Sequence, residues 1–407
     1  MQLSLLLSLL PMVAAVPTAK RSEPAPLLVP RGVSSDNIIA DEYIVKFKKG
    51  SSLDAVKEAA DSLTNGSVNV LSEIFKGFSS HLNAEGLQLI REHPDVEYVE
   101  HNAISRGFAA VTQSSAEWGL ARLSSKQTGA KDYVYDDSAG TGTCAYIIDT
   151  GVDASHADFD GRAKQIKSFN GKNEDTEICN GHGTHVAGTI GSKTYGVAKK
   201  ASIFGIKIID YDSKAKDCLT STDNILSALD YAAQDSKSQS CPNGVVINMS
   251  LGGEYTSTAL NDAIEKLVKG GIFVAVAAGN GKKDCKTCTV YPIDASRVSP
   301  ASAPYACTVG ATDSQDAIAY FSNYGPTVDI HAPGVDVRSL AIGGETKVMS
   351  GTSMASPHIA GLAAYFMGKG KKAQELCEYL QSIAIEDAIS GIHETSKNLL
   401  AQNDLSK

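Results

Sequence analysis

The chain has 407 residues, of which 43% are hydrophobic and 20% charged, and its formal net charge is −9. This composition suits a soluble protein with sizeable cores and excludes a mostly disordered or collagen-like chain. The net negative charge and the lack of a block of basic residues argue against a nucleic-acid partner. No apolar run after the N-terminus is long enough to span a bilayer. At roughly 150 residues per domain, the length predicts two or three domains.

The N-terminus has the features of a secretory signal peptide. An apolar run, Leu3–Leu10, is followed by Pro11 and by Val13–Ala15, a small-residue cleavage pattern. The alternative is the start of a buried helix. We assign residues 1–15 to a signal peptide and 16–40 to a linker, and we expect a secreted, extracellular protein.

Residues 41–104 have the element order of a small α+β unit. Tyr43–Lys48 alternates as a strand does, and Leu53–Leu63 has helical spacing. Two more strands, a second amphipathic helix and a last strand at Val96–Glu100 complete the ferredoxin-like order. The unit holds no cysteine and no catalytic cluster, and residues 105–116 form a polar connection.

Residues 117–407 alternate between strand and helix patterns. Four short apolar runs are typical of parallel strands buried on both faces: Ala145–Ile148, Ile203–Ile209, Gly244–Met249 and Ile272–Ala278. Helical patterns such as Thr222–Ala233 and Thr258–Val268 lie between them. The pattern predicts one α/β domain with a doubly wound, mostly parallel sheet. Functional sites in such sheets lie at the carboxyl ends of strands.

Four segments hold the groups that a hydroxyl nucleophile needs: Asp149–Gly151, Gly181–His185, Ala277–Asn280 and Gly351–Pro357. A serine hydroxyl needs an imidazole to take its proton, and the imidazole needs a carboxylate to orient it. The tetrahedral intermediate needs hydrogen-bond donors. Each segment alone has an ordinary structural interpretation, as a strand end, a packed histidine, a turn or a helix cap. Their occurrence together favours catalysis.

These segments resemble the signatures of the subtilisin superfamily of serine proteases, whose chain order of Asp, His and Ser is found here. Trp118–Arg122, Phe321–Gly325 and Pro357–Leu362 resemble its proteinase K-type fungal branch, which includes cuticle-degrading proteases of insect-pathogenic fungi. The likeness covers almost the whole chain. Residues 41–104 look like the family's inhibitory propeptide (inhibitor I9-like), which implies self-cleavage near Ala110–Val111.

The resemblance implies a role for each catalytic side chain. Ser353 would attack the scissile carbonyl, with His182 rather than His185 as general base. Asp149 would orient His182. The side chain of Asn280 and the backbone N–H of Ser353 would form the oxyanion hole.

The resemblance also implies a substrate-binding surface. Two segments would pair with the peptide and line the S1 pocket: Ser250, Leu251, Gly252 and Gly253, then Ala277, Ala278 and Gly279. Because none of these residues is charged, we expect a broad preference for apolar or aromatic P1 residues. Insertions at 211–220 and 281–298 flank the predicted cleft.

All eight cysteines lie at residue 144 or later, and an even number in a secreted chain favours disulfides. The resemblance implies the pairs Cys144–Cys241 and Cys307–Cys377, and likeness to bacterial relatives implies Cys179–Cys218. Cys285 and Cys288 are expected to pair with each other, and the alternatives are pairing with cysteines elsewhere or, for this C-x-x-C, zinc binding or redox chemistry.

No cofactor is expected for catalysis, whereas calcium is expected as a structural ion. The carbonyls of Pro304 and Ala306 and the carboxylate of Asp329 match the family's stronger site, and oxygen ligands suit this cation. At the second site Ala388 stands at the acidic position, although Asp387 is adjacent.

The leading interpretation is a secreted, self-processing, monomeric serine endopeptidase with protein substrates, its own propeptide as inhibitor and no membrane partner. A pseudo-protease would lack a triad member, and none is missing. A metal-dependent hydrolase using His182 and His185 would lack the usual HExxH glutamate. An esterase is a third alternative. Of two glycosylation sequons, at Asn65 and Asn248, the second lies at a predicted buried strand end and is expected to be unused.

Overall fold

The structure is a computed structural model that describes residues 21–30, 33, 37–63, 68–104, 110–169, 179–283 and 289–405. The chain divides into two compact units, residues 1–107 and 108–407. The expected signal peptide lies outside the described residues. None of the described helices combines the length and the apolarity needed to cross a bilayer.

The first unit is a five-stranded sheet with two helices. Its elements are β1 (Leu27–Leu28), β2 (Ile38–Phe47), α1 (Leu53–Leu63), β3 (Asn69–Leu71), β4 (Gly77–His81), α2 (Ala84–Glu92) and β5 (Val96–Ala103). The sheet order is β1-β5-β2-β4-β3, and all pairs except β1–β5 are antiparallel. The order of β2 to β5 is that of the predicted ferredoxin-like unit.

Local sequence explains why these helices form and which side they bury. In α1, Val56, Ala59 and Ala60 are buried at helical spacing. In α2, the Asn83 side chain caps the first turn by accepting the Gly86 N–H at 2.8 Å. The linker expected at 16–40 differs in part: Leu27–Leu28 pairs with β5, and β2 begins at Ile38. A strand of two residues is too short to produce a periodic pattern.

The second unit contains the remaining strands and helices. Its strands are β6 (Ala110–Gln113), β7 (Tyr133–Asp136), β8 (Thr143–Asp149), β9 (Ala163–Ser168), β10 (Ser202–Lys207), β11 (Asp210–Asp212), β12 (Asp217–Leu219), β13 (Gly244–Met249), β14 (Ile272–Ala277), β15 (Lys282–Lys283), β16 (Val290–Tyr291), β17 (Cys307–Thr312), β18 (Ile330–Pro333), β19 (Val337–Leu340), β20 (Thr346–Met349), β21 (Ile385–Glu386) and β22 (Leu399–Leu400). Its helices are α3 (Trp118–Leu123), α4 (His182–Gly191), α5 (Thr222–Asp235), α6 (Thr258–Lys269), α7 (Thr352–Gly368) and α8 (Leu376–Ile383).

Nine of these strands form one sheet in the order β21-β22-β18-β17-β14-β13-β8-β10-β9, and only the β21–β22 pair is antiparallel. Alternate residues of β8 enter different cores. Ala145 and Ile147 pack on one face with α4 and α7, whereas Tyr146 and Ile148 pack on the other with α5 and α6. Helices therefore cover both faces, as the doubly wound prediction requires.

Three disulfides connect segments of the second unit: Cys144–Cys241, Cys179–Cys218 and Cys307–Cys377. These are the pairings that the resemblance implies. Cys285 and Cys288 lie outside the described residues. A buried ion pair adds a further long-range connection, since Arg122 donates to both carboxylate oxygens of Asp316 at 2.8 Å.

Candidate active site

The candidate acid and base are brought together by the end of a strand and the start of a helix. Asp149 is the last residue of β8, is fully buried, and accepts a hydrogen bond from the Thr150 N–H at 2.7 Å. His182 is the first residue of α4, and its Nδ1 lies 2.7 Å from Asp149 Oδ1. The carboxylate therefore favours the tautomer with a proton on Nδ1, which leaves Nε2 to accept a proton.

The approach of α4 to β8 requires a glycine beside the histidine. A Cβ atom on Gly183 would lie 2.2 Å from the carbonyl oxygen of Gly151. Without it, the Gly183 N–H donates to Thr150 Oγ1 at 2.8 Å. The motif around His182 thus fixes the distance between the helix and the strand that carries Asp149.

His185 serves packing rather than the cleft. It is fully buried, and its Nε2 lies 3.0 Å from the carbonyl oxygen of Val337 in β19. Burial lowers the pKa of His185 to about 4, so the ring is neutral at physiological pH. The rings of His182 and His185 therefore contact different partners, which argues against a shared metal site between them.

The candidate nucleophile lies at the start of the central helix. Ser353 is the second residue of α7, where backbone N–H groups have no partner within the helix. The carboxyl end of β14 brings Asn280 to the same place, and Asn280 Oδ1 accepts the backbone N–H and the hydroxyl of Thr352, both at 2.8 Å. Because the amide oxygen is engaged, the Asn280 NH₂ group is the end left to donate into the cleft.

Pro357 explains a contact between the candidate nucleophile and the predicted substrate-binding segment. A helix residue at 357 would normally donate its N–H to the carbonyl of Ser353, but proline has none. The Ser250 hydroxyl donates to that carbonyl instead, at 2.8 Å, and Ser353 Oγ donates to the Ser250 carbonyl at 3.1 Å. The two segments are thus joined by reciprocal hydrogen bonds.

A buried amide supports this junction from the other side. Asn248 Nδ2 donates to Ser250 Oγ at 3.0 Å, and its Oδ1 accepts the Ser356 hydroxyl at 2.8 Å. Asn248 is only 1% exposed, so a glycan could not attach to the folded unit there. The sequon at Asn65 lies outside the described residues.

Two adjoining cavities share Leu251, Gly252, Gly253 and Asn280. The larger, of about 620 Å³, reaches His182 and includes Asp217–Thr220 from the inserted loop. The smaller, of about 260 Å³, reaches Ser353. Both predicted insertions therefore contribute to the cleft, since Ile293 and Val298 line the smaller cavity.

The smaller cavity corrects two expectations about the substrate pocket. Ala277 and Gly279 line it, but Ala278 is fully buried and packs against Ala295. Side chains alternate along an extended segment, so the residue between two pocket residues faces away. Glu254, directly after the predicted segment, also lines the cavity and pairs with Lys282 at 3.2 Å, so the lining is not free of charge.

Sequence reasoning missed the residue that fixes this pocket's wall. Asn323 Oδ1 accepts the N–H groups of Gly281 and Ile293, at 3.0 and 2.9 Å, and its Nδ2 donates to the Ala278 carbonyl at 2.9 Å. It therefore ties two points of the insertion, Gly281 and Ile293, to the residue that follows β14. The segment Phe321–Gly325 had a recognisable pattern, but nothing in it indicated this contact.

The calcium site expected at Asp329 does not fit the structure. Asp329 Oδ1 accepts a hydrogen bond from the Lys397 ammonium at 3.0 Å, and Oδ2 accepts the Thr308 N–H at 3.1 Å. Among the residues that the structure describes, the only cluster of three potential His, Cys or carboxylate ligands is Cys307, Asp329 and Cys377. The two sulfurs are joined in a disulfide and are not free thiolates.

Comparison with known proteins assigns the family. Residues 140–394 match the model of the subtilase family, and residues 42–108 match that of peptidase inhibitor I9. The chain belongs to the subtilase family. It is a subtilisin-like serine endopeptidase preceded by an I9 propeptide domain, which confirms the resemblance and the fold class inferred from the sequence.

Full-length subtilase relatives support this assignment. The chain is 50% identical to subtilisin-like serine protease AsES of Sarocladium strictum, with 99% of each chain covered. It is 48% identical to a cuticle-degrading protease of Metarhizium anisopliae, covering 99% of this chain and 100% of the relative. It is also similar to the crystal structure of a cold adapted subtilisin-like serine proteinase, with a TM-score of 0.61 and 37% identity over 71% of this chain and 98% of that chain.

Proposed function

We propose that this subtilase is a secreted, self-processing endopeptidase that cleaves proteins through Asp149, His182 and Ser353. The observation that carries the proposal is the 2.7 Å contact between the buried Asp149 carboxylate and His182 Nδ1, at a cleft that also holds Ser353 and Asn280. A histidine that acts as general base needs a buried carboxylate to orient its ring and a partly exposed ring edge to take the proton of the nucleophile.

The reaction begins when a peptide carbonyl enters above Ser353. The serine hydroxyl turns from the Ser250 carbonyl to His182 Nε2 and passes its proton there as Oγ attacks the carbonyl carbon. Asp149 stabilises the resulting imidazolium without taking the proton. The negative oxygen accepts hydrogen bonds from Asn280 Nδ2 and from the Ser353 N–H at the start of α7, where the helix dipole also favours negative charge.

Collapse of this intermediate expels the amine, which takes the proton from His182 Nε2. A water molecule then gives its proton to Nε2 and attacks the acyl carbon, and the same donors bind the second oxyanion. Ser353 is regenerated when His182 returns the proton to Oγ. Each proton thus passes through one atom, which explains why the tautomer set by Asp149 matters.

We propose a broad preference for apolar and aromatic P1 side chains. The smaller cavity supports this through Ile293, Val298 and Ala277, while the Lys282 ion pair offsets the charge of Glu254 at its wall. We further propose that the I9 domain inhibits the unprocessed enzyme and assists its folding, since a parallel sheet with distant partners folds slowly. Cleavage is expected near residues 110/111, at the start of β6.

The test compares the full-length protein with Ser353→Ala and, as a matched control, Ser350→Ala, an exposed serine that bonds Asp336 outside the cleft. We expect the parent and the control to lose roughly residues 1–110 by intact mass and to be labelled by a fluorophosphonate probe. Ser353→Ala should keep its propeptide and take no label. Hydrolysis of a peptide substrate by purified Ser353→Ala would refute the proposal.

Processing of Ser353→Ala has a separate meaning. If it is processed like the parent, another protease makes the cut, and self-processing is refuted while the triad is judged on peptide hydrolysis alone. Cleavage of an ester but not of a peptide amide by the mature parent would favour the esterase alternative.

A further inference from the structure

Asp329 is a largely buried carboxylate that needs a nearby positive charge. It directly precedes β18, its side chain is 20% exposed, and its backbone N–H donates to the Thr308 carbonyl at 2.9 Å. The Thr308 N–H bonds one of its carboxylate oxygens. Burial of a carboxylate without a compensating charge is costly.

The positive charge comes from a residue 68 positions later in the chain. Lys397 Nζ lies 3.0 Å from Asp329 Oδ1 and 2.9 Å from Gln381 Oε1. The amide of Gln381 is itself oriented, because its Nε2 donates to the Cys377 carbonyl at 3.3 Å. The ammonium therefore has two oxygen acceptors, supplied by the strand β18 end and by α8.

A calcium ion would compete with this arrangement. Calcium takes about six to eight oxygen ligands and would need the Asp329 carboxylate as its charged ligand. Oδ1 already accepts a hydrogen bond from the ammonium and Oδ2 one from the Thr308 N–H. A divalent cation at this carboxylate would also lie close to the Lys397 charge, so the ammonium would first have to leave.

We propose that the Lys397 ammonium replaces the calcium ion at Asp329, so that this end of the sheet is held by an internal cation and not by a metal. The positions fit this role: the ion pair and Gln381 join β18, α8 and the chain just before β22, beside the Cys307–Cys377 disulfide. The Lys397 ammonium thus supplies the opposite charge that this largely buried carboxylate needs.

The test measures the unfolding temperature of the mature enzyme, inactivated by a sulfonyl fluoride to prevent self-digestion, with a chelator and with millimolar calcium. The variants are Lys397→Met, Asp329→Asn and, as a matched control, Lys369→Met, which removes a lysine paired with Asp404 elsewhere on the unit. The readout is thermal unfolding and does not depend on catalysis, so its failure is distinguishable from failure of the proposed function.

We expect any response of the parent protein to calcium to be unchanged in Asp329→Asn, because the ion does not use this carboxylate. Lys397→Met should unfold about 2–4 °C lower than the parent in chelator, since the largely buried Asp329 carboxylate loses its positive partner. In Lys369→Met, any loss should be the same with and without calcium. A calcium-dependent gain that appears in Lys397→Met and is absent from the double variant with Asp329→Asn would add direct support.

Two results would overturn the proposal. One is a calcium-dependent rise in the parent's unfolding temperature that Asp329→Asn abolishes, because the ion would then bind this carboxylate despite Lys397. The other is a Lys397→Met variant that unfolds at the same temperature as the parent in chelator, because the ammonium would then not stabilise the site.

Discussion

Substitutions of Asn280 should separate effects on catalysis from effects on folding stability, because the oxygen and the nitrogen of its side-chain amide have different partners. Its Oδ1 holds the N–H and hydroxyl of Thr352 at 2.8 Å, whereas its NH₂ group faces the cleft. Asn280→Asp keeps an acceptor for Thr352 and removes the donor. Asn280→Ala removes both.

The expected magnitudes follow from these contacts. Loss of one oxyanion donor costs about 3–4 kcal/mol of transition-state stabilisation, or a kcat lower by about 10²–10³. Asn280→Asp should lose at least this much, since its charge also repels the oxyanion, with KM nearly unchanged. Its folding stability should be retained, because a carboxylate at the N-terminus of α7 is favourable. Asn280→Ala should lose a further 1–3 kcal/mol or so of stability, because two buried Thr352 donors lose their acceptor.

The assay is steady-state hydrolysis of a peptide amide, with unfolding by denaturant measured in parallel. Variants that do not process themselves are matured with a trace of parent enzyme, whose background rate is subtracted. Asn243→Asp is the matched control, since its Nδ2 bonds the Thr141 carbonyl on the surface. A kcat for Asn280→Asp within about threefold of the parent's, or a loss confined to KM, would refute the assigned role.

Three further predictions concern stability and specificity. Burial lowers the pKa values of His185 and His358 to about 4, from 6.5. In the unfolded chain these rings take up a proton near pH 6.5, whereas in the folded protein they do so only near pH 4. The free energy of unfolding is therefore constant above about pH 6.5 and falls between pH 6.5 and pH 4, by about 3 kcal/mol for each histidine. Denaturant titrations of the inhibited enzyme at a series of pH values measure this fall. Arg122→Met should cost about 3–5 kcal/mol in the same assay, because Asp316 stays buried and unpaired. Ile293→Ala, which removes part of the wall of the proposed S1 pocket, should lower kcat/KM for leucine at P1 by about tenfold relative to tryptophan.

For each of these three predictions, one experimental result would contradict it. Constant stability between pH 6.5 and 4 would contradict the neutral, buried state of the two histidines. If the denaturant midpoint of Arg122→Met equals that of the parent, the ion pair with Asp316 contributes nothing to folding stability. If the ratio of kcat/KM for the leucine and tryptophan substrates is the same in Ile293→Ala as in the parent, Ile293 does not contribute to P1 specificity.

The sequence by itself determined the main helices and strands of both units and pointed to the catalytic candidates. The helix Leu53–Leu63 and the strand Gly244–Met249 have the predicted bounds, because side-chain periodicity depends on neighbours only a few residues away. Asp149 and Asn280 follow or end apolar strands, and the topology of a doubly wound sheet brings such ends to one edge. Residue type and strand position therefore pointed to these two residues, whereas their expected roles came from the four segments taken together and from the resemblance to subtilisins.

Only the tertiary structure decided which distant groups meet. Lys397 reaches Asp329, Asn323 holds the insertion that carries Ile293, and Ser250 bonds the Ser353 carbonyl that Pro357 leaves free. These contacts join residues 30 to 103 positions apart. No short-range pattern encodes them, because they depend on strand order and on how helices pack across the sheet. The same reason explains why the Asp329 carboxylate, expected from the sequence to bind calcium, instead contacts the Lys397 ammonium.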